Sequence, residues 1–355
     1  MQGLTSDFRF RIDRVDALLA CSLAIVAWAY ALGYRLDWAQ PDVQIDETAQ
    51  SAFAEVVPAN QPPVLPPGSA SLAQGSNWDA MTEELSLLAS KHQGRVAIFL
   101  KDLGTGNIWT HHSEDLFPSA SLIKVPLMAC VFFKIRDGQL ALYDKLTLRR
   151  RHRRGGSGSL KWRSDGERLT VHELLRHMIN ESDNTATAMI LEVLGLNYVQ
   201  QQFPKLGLVY TGISEEGMSL KSGRVAQENY TTAREMAMIL EKIYRGEMVD
   251  RPSSEIMMDI LKHRKAVTSR LAKGLPKGWE IAHKTGLLRH ACHDAAVILT
   301  PHGDYVMTVL TGQNASYRTA KNFIDRLGRV TFALYEGVPR YYARAEKKPG
   351  QDALR

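Results

Sequence analysis

One stretch of the chain decides the fold, and it consists of Phe117-Pro118-Ser119-Ala120-Ser121-Leu122-Ile123-Lys124-Val125-Pro126. Apolar residues recur at helical spacing from Leu122 to Phe133, so a helix is predicted to begin here. Ser121 and Lys124 are three residues apart and share one face of that helix. A lysine whose pKa is lowered by burial can take the proton of a serine and make it a nucleophile. The same pattern also fits a helix-capping serine beside an unrelated lysine, so it is weak evidence alone.

Two further motifs follow in the chain. Ser182-Asp183-Asn184 lies between predicted helices at 169–178 and 185–194, and Lys284-Thr285-Gly286 ends a predicted strand that begins at Trp279. Each is unremarkable alone, because Ser, Asp and Asn often cap helices. The ordered set S-x-x-K, S-D-N and K-T-G is specific, because all three motifs occur in one chain, each in the expected helix or strand context.

With these motifs the chain resembles class A β-lactamases and penicillin-binding proteins. The resemblance covers roughly residues 80 to 337 and includes Gly104-Thr105-Gly106, His293-Asp294-Ala295 and the segment 229–236. It implies the α+β fold of this β-lactamase/transpeptidase-like family, an antiparallel sheet flanked by helices. An all-α lobe is expected between the first hairpin, 96–110, and the Lys284 strand. The strand 305–311 is expected to pair with the Lys284 strand.

The resemblance also implies catalytic roles. Ser121 would attack the carbonyl of a β-lactam or of a D-alanyl peptide and form an acyl-enzyme. Lys124 would accept the serine proton, and Ser182 would relay a proton to the leaving nitrogen. The backbone N–H groups of Ser121 and Leu287 would form the oxyanion hole. The reaction requires no metal and no organic cofactor.

Four more residues are assigned to substrate binding by the same resemblance. Asn184 would hydrogen-bond the amide side chain of the substrate, and Thr285 would bind its carboxylate. Lys284 would supply a positive potential that attracts an anion and keeps Lys124 available as a base. Gly286 would let the strand approach the ligand closely.

The chain departs from the class A pattern at one point. The loop glutamate that activates the deacylating water belongs to a Glu-x-x-Leu-Asn pattern, which segment 212–229 lacks. Glu215 and Glu216 are the candidates there, and Glu216 has the closer spacing. Without such a base the acyl-enzyme would be long-lived. The prediction is a β-lactam-opening serine hydrolase. The alternatives are a D-alanyl-D-alanine carboxypeptidase acting on peptidoglycan and a non-catalytic sensor of β-lactams or muropeptides.

The N-terminal region predicts export. Residues 17–34 carry no charge and would span about 27 Å as a helix, which is enough for a membrane anchor. A cleaved signal ending near Ala29 or lipidation at Cys21 are the alternatives. Arginines within 1–16 place that stub in the cytoplasm and the body outside, in the periplasm or extracellular space. Residues 35–76 are expected to be a proline-rich tether, 77–340 the catalytic domain and 341–355 a polar tail.

Composition limits the remaining possibilities. The 355 residues include 44 Lys and Arg against 38 Asp and Glu, and 45% are hydrophobic, which excludes disordered and polytopic membrane classes. Three cysteines exclude a disulfide scaffold, although a Cys130–Cys292 bridge stays open. The basic run 145–154 is predicted to be a solvated loop or a contact with an anionic cell-envelope polymer. We expect a monomer without a nucleic-acid partner.

Overall fold

A five-stranded antiparallel sheet is the frame of the molecule. The computed structural model describes residues 71–219, 228–262 and 270–336, all within one compact unit, Gly68–Arg355. The strands are β1 (Arg95–Asp102), β2 (Ile108–His111), β3 (Phe117–Pro118), β4 (Lys145–Thr147), β5 (Arg168–Thr170), β6 (Tyr230–Thr231), β7 (Glu280–Leu288), β8 (Ala291–Thr300) and β9 (Gly303–Gly312). The large sheet has the order β2-β1-β9-β8-β7, and two-stranded pairs form between β3 and β6 and between β4 and β5.

The helices cover both faces of the sheet. They are α1 (Ser71–Ser90), α2 (Lys124–Arg136), α3 (Val171–Asn180), α4 (Asn184–Leu194), α5 (Leu196–Leu206), α6 (Glu215–Ser219), α7 (Ala233–Arg245), α8 (Arg251–Lys262) and α9 (Tyr317–Leu334). Because helices pack on both faces, every residue of β9 and the first eight of β8 are buried. The α+β architecture predicted from the sequence is confirmed.

Two apolar cores lie in this framework. The smaller core joins α1 and α9 to the sheet through Met81, Leu85, Met307 and Ile324. The larger core contains α2, α3, α4 and α7, and therefore includes the predicted all-α lobe between β2 and β7. This lobe supplies one wall of the site, and the edge strand β7 supplies the other.

The start of α2 shows how the sequence controls local structure. Residues Ala120–Ile123 form a short 3-10 turn, and the α-helix proper begins at Lys124. Pro126 therefore falls in the first helical turn, where its missing N–H costs no hydrogen bond. The tight turn places Ser121 just before the helix and Lys124 at its first position.

One expectation about strand pairing is wrong, and the open question of a Cys130–Cys292 bridge has an answer in the structure. The strand 305–311 lies in β9, which pairs with β8 and β1, whereas the Lys284 strand β7 pairs with β8. Short turns join β7 to β8 and β8 to β9, so β8 comes between the two strands. Cys130 and Cys292 are both buried and free, because each belongs to a different core.

The predicted stub, anchor and tail, and most of the tether, lie outside the described residues. The first described helix, α1, begins at Ser71, six residues before the predicted start of the catalytic domain. Within the described ranges, none of the helices combines the length and apolarity needed to cross a bilayer.

Candidate active site

The structure brings the predicted nucleophile and base together. Ser121 is half-buried in the 3-10 turn, and the preceding Ala120 has a left-handed φ of 48°. Lys124 is only 2% exposed, and its Nζ lies 3.4 Å from Ser121 Oγ. The serine–lysine pair predicted from the sequence is therefore in reach for proton transfer.

The surroundings of Lys124 define which way its protons point. Its Nζ lies 2.6 Å from the Ser182 carbonyl oxygen and 2.8 Å from Asn184 Oδ1, and both can only accept hydrogen bonds. Burial lowers the pKa of Lys124 to about 7, although Asp183 nearby opposes the shift. A neutral amine has two protons, which these two acceptors use. Its lone pair is then left for the proton of Ser121.

Ser182 connects the two lysines of the site. Its Oγ is 3.2 Å from Lys124 Nζ and 3.0 Å from Lys284 Nζ. Its φ of 54° is left-handed, which turns the side chain out of the connection between α3 and α4 and into the site. A hydroxyl between two amines can accept a proton on one side and donate one on the other, as a relay requires.

Asp183 and Asn184 tie this connection to a neighbouring loop. Asp183 Oδ1 caps α4 by accepting from Ala186 N at 2.8 Å, and its Oδ2 accepts from Leu160 N at 2.8 Å. Asn184 Nδ2 donates to the Gly155 carbonyl at 2.9 Å. Asn184 is thus held at both ends of its amide, with Oδ1 toward Lys124 and Nδ2 toward the loop.

The glycine-rich loop 155–158 is the part of the site that sequence reasoning missed. Gly156 and Gly158 have φ of 77° and 101°, and a Cβ at Gly158 would lie 2.1 Å from Asp183 Cγ. At Gly156 a Cβ would lie 2.8 Å from Asn184 Nδ2. The alternating Gly-Ser pattern predicts only a loop, and nothing in it shows that the loop packs against the distant Ser182–Asn184 motif.

The wall of the site opposite the helical lobe is β7, which carries Lys284 to Leu287. Lys284 is fully buried, and its Nζ donates to Ser182 Oγ and, at 2.9 Å, to the Thr285 carbonyl. Gly286 faces the turn of the nucleophile, since a Cβ there would lie 3.1 Å from Ala120 Cβ. Leu287 is 42% exposed. Because β7 is an edge strand of the sheet, an extended substrate can pair along its outer side.

A cavity of about 1070 Å³ adjoins Asn184 and separates α4 from α6. Glu215 lines it, and both Glu215 and Glu216 are exposed in the first turn of α6. The residue just before α6 is tied to the chain that enters β6, because Ser214 N donates to Asn229 Oδ1 at 2.8 Å. The structure therefore places Glu215 at the cavity that adjoins Asn184, with Glu216 next to it in the same helical turn.

The basic run forms another wall of this cavity. Arg151 binds Glu192 through two hydrogen bonds of 3.0 and 2.7 Å, and Arg153 pairs with Asp165 at 2.5 Å. Arg149 and Arg150 are exposed. Part of the run is consequently ion-paired within the domain, and only part is available for the solvated surface that the sequence predicts.

Among the described residues, one group has the composition of a metal site, namely His177, Glu181 and Asp183, whose ligand atoms lie within 4.8 Å of one another. Both oxygens of Asp183 already accept backbone N–H groups, and Glu181 Oε2 accepts from Ser159 Oγ at 2.5 Å. The hydrogen bonds of this group therefore indicate that it supports the chain around Ser182 and does not form a metal centre.

Residues 80–336 match the model of a family described as the beta-lactamase enzyme family. A beta-lactamase from Streptomyces cellulosae is 28% identical over 265 residues, which are 73% of this chain and 85% of the relative. A solved beta-lactamase from Sphaerobacter thermophilus is 26% identical with a TM-score of 0.66, covering 72% of this chain and 96% of that one. A point mutant of PBP-A, solved as an acyl-enzyme complex with penicillin G, is 28% identical with a TM-score of 0.65, covering 72% and 96%.

Proposed function

The chain belongs to the beta-lactamase enzyme family, and from this membership we propose that it is a serine β-lactamase acting through an acyl-enzyme on Ser121. The observation that carries the proposal is the arrangement of Ser121, Lys124, Ser182 and Lys284, in which hydroxyls and buried amines alternate along one chain of hydrogen bonds. The similarity to proteins named beta-lactamase supports the same function.

Acylation follows from the directions of these hydrogen bonds. Neutral Lys124 takes the Oγ proton of Ser121 as Oγ bonds to the carbonyl carbon of the lactam. The tetrahedral oxyanion is stabilised by the N–H groups of Ser121 and Leu287. As the intermediate collapses, the carbon–nitrogen bond breaks and the leaving nitrogen takes the proton of Ser182 Oγ. Ser182 is reprotonated by the ammonium of Lys124, 3.2 Å away.

The other motif residues orient the substrate. The substrate is an anion, and Lys284 is a buried lysine on the strand that the substrate carboxylate approaches. Thr285 Oγ1 would donate to that carboxylate. Asn184 Nδ2 has a second proton besides the one given to Gly155, and this proton would bind the acyl-amide carbonyl of the substrate.

Hydrolysis of the acyl-enzyme needs a base that activates water. We assign this role to Glu216 on its spacing in the sequence, with Glu215, which lines the cavity beside Asn184, as the second candidate. A carboxylate there would take one proton from water as the water oxygen attacks the ester carbonyl. The ester bond then breaks, and Ser121 Oγ leaves and takes the proton that the carboxylic acid had received from water, which restores both the serine and the carboxylate.

A second candidate function is a D-alanyl-D-alanine carboxypeptidase acting on peptidoglycan. The observation that favours it is the missing Glu-x-x-Leu-Asn pattern, together with the similarity to PBP-A. The two functions share acylation and differ in substrate and in the lifetime of the penicillin adduct.

We also propose that residues 17–34 anchor the chain in a membrane with the catalytic domain outside the cytoplasm. The uncharged segment and the arginines that precede it support this topology. Protease added to intact spheroplasts should remove the catalytic domain from a full-length chain. Protection of that domain would contradict the proposal.

The function is tested by steady-state hydrolysis of benzylpenicillin and a chromogenic cephalosporin by the full-length chain. We expect multiple turnovers for the native enzyme and for Ser86→Ala, which alters an exposed serine on α1. Ser121→Ala should hydrolyse neither compound. One slow turnover per enzyme would favour the carboxypeptidase, which release of D-alanine from a D-alanyl-D-alanine peptide would then confirm. Undiminished turnover by Ser121→Ala would contradict both functions.

A further inference from the structure

A buried histidine outside the three motifs contacts both sides of the proposed oxyanion hole. We propose that His293 is a positioning residue that sets the distance between the Ser121 and Leu287 N–H groups. The inference rests on the proposed function, because the oxyanion hole matters only if Ser121 is acylated. His293 lies on β8, is fully buried and does not contact the reacting atoms of Ser121, Lys124 or Ser182 in the structure.

The first contact reaches the chain that leads to the nucleophile. His293 Nε2 lies 2.8 Å from the carbonyl oxygen of Pro118, three residues before Ser121. On the other side of the same short segment, Ser119 N donates to the Asn229 carbonyl at 2.6 Å. The segment is thus held between β8 and the chain entering β6, and it enters the strained turn at Ala120 from a fixed position.

The second contact defines the tautomer of the ring. Thr311 N on β9 donates to His293 Nδ1 at 3.2 Å, so Nδ1 is an acceptor. The ring proton is therefore on Nε2, where it is donated to Pro118. Burial lowers the pKa of His293 to about 4, which is consistent with a neutral ring at neutral pH. The histidine acts as a rigid link with one acceptor end and one donor end.

The third contact reaches the other donor of the oxyanion hole. Gly286 pairs with His293 across the β7–β8 ladder, and a Cβ at Gly286 would lie 3.0 Å from His293 Cδ2 and 3.1 Å from Ala120 Cβ. Gly286 is therefore enclosed between the imidazole ring and the turn of the nucleophile. Leu287 follows Gly286 and Ser121 follows Ala120, so a shift of the ring would alter the separation of both N–H groups.

Two substitutions of His293 distinguish a role in positioning the oxyanion hole from a role in packing alone. His293→Gln keeps a donor at about the position of Nε2, whereas His293→Asn keeps an acceptor near Nδ1 and loses the donor to Pro118. The rate of acylation of the full-length chain by benzylpenicillin is measured in single-turnover experiments and divided by the concentration of active sites. The melting temperature of each variant is measured as well. Displacements of about 1 Å at a reacting centre cost about 100-fold.

We expect His293→Asn to acylate about 100-fold more slowly per titrated site, with little change in apparent substrate affinity. His293→Gln should stay within about tenfold of the native rate, because it restores the hydrogen bond that matters. Equal acylation rates for both variants and the native chain would overturn the inference. If the native chain itself forms no adduct, the proposed function fails instead.

A measurement on the native chain covers the case in which His293→Asn does not fold. Nitrogen-15 NMR of histidine-labelled protein, with the His293 signals assigned by their absence from His293→Gln, should show the His293 ring protonated at Nε2. Its N–H signal should shift when a boronic acid transition-state analogue binds Ser121. Protonation of the His293 ring at Nδ1, or a His293 Nε2–H signal unchanged by the boronic acid, would overturn the positioning role. His283 is excluded from this comparison because its Nδ1 faces Asp294 Oδ1 at 2.8 Å.

Discussion

At the scale of a single residue, Lys124 shows how burial prepares a side chain for chemistry. The ammonium form loses its hydration in the interior, and its two close partners are neutral oxygens, which do not replace a full counter-charge. A pKa of about 7 follows, so the base is substantially neutral at neutral pH. The sequence predicts the partners of Ser121 and Lys124, but only the fold shows the burial that makes the lysine able to act as a base.

The acylation rate should therefore depend on the protonation of Lys124. Below a pH of about 7 the lysine is charged and cannot accept a proton, so the rate should rise as pH increases through about 7. Single-turnover acylation by benzylpenicillin measured from pH 5 to 9 tests this. Lys124→Arg stays protonated throughout and should acylate about 1000-fold more slowly. A flat profile in the native chain would show that another group is the base.

Gly158 provides a second prediction at the residue scale. Gly158→Ala combines a left-handed φ with a Cβ that would overlap Asp183, so we expect a loss of about 3 kcal/mol of unfolding free energy or more and a loss of hydrolysis. Gly138→Ala is the matched control, since Gly138 has φ of 67° but open space around its Cβ position. It should cost about 1–2 kcal/mol and leave hydrolysis intact. Urea unfolding and kcat/KM measure both effects, and equal losses for the two variants would contradict the packing argument.

At the scale of elements, the site is built where α2, the connection before α4 and the edge strand β7 meet. The ordered motifs predict these elements because each motif lies at the start of a helix or on a strand. The short turn in hairpin 96–110 predicts that its two strands are neighbours, as the structure shows. No strand is predicted at 291–300, and for this reason β8 between β7 and β9 was missed. The packing of loop 155–158 against Asp183 was missed for a related reason, because Gly158 and Asp183 are 25 residues apart in the chain.

The short helix α6 carries a prediction about deacylation. Glu216→Gln should accumulate a penicillin adduct on Ser121 and slow its release by about 100-fold or more, because the general base is removed while acylation is retained. Intact-protein mass spectrometry after rapid mixing follows the adduct. Glu215→Gln is the matched comparison on the same turn of α6. If hydrolysis by Glu216→Gln is unchanged and Glu215→Gln accumulates the adduct, the base is Glu215.

At the scale of the whole molecule, two apolar cores on the two faces of one sheet hold the catalytic lobe against the edge strand. The cysteines illustrate this division, since Cys130 lies in the larger core and Cys292 in the smaller one. The low cysteine content predicts that core packing stabilises the domain, whereas the question of a bridge depends on which face each cysteine occupies. The fold supplies that information.

Reducing agent should therefore leave the stability of the chain unchanged. A Cys130–Cys292 disulfide would contribute about 2–4 kcal/mol, and its loss would lower the melting temperature by several degrees. We expect equal melting temperatures with and without dithiothreitol, measured by circular dichroism. Thiol titration after unfolding should find both cysteines reactive. A lower melting temperature in the reductant would contradict the assignment of two separate free thiols.

The central claim is that Ser121 becomes covalently acylated with Lys124 as its base. The most direct measurement is to quench the full-length chain with acid milliseconds after mixing with benzylpenicillin, digest it and locate the added mass. We predict that the penicilloyl group is found on the peptide that contains Ser121 and that it is absent from Ser121→Ala. A penicilloyl group on another residue, or rapid hydrolysis without any adduct in Ser121→Ala, would contradict the account.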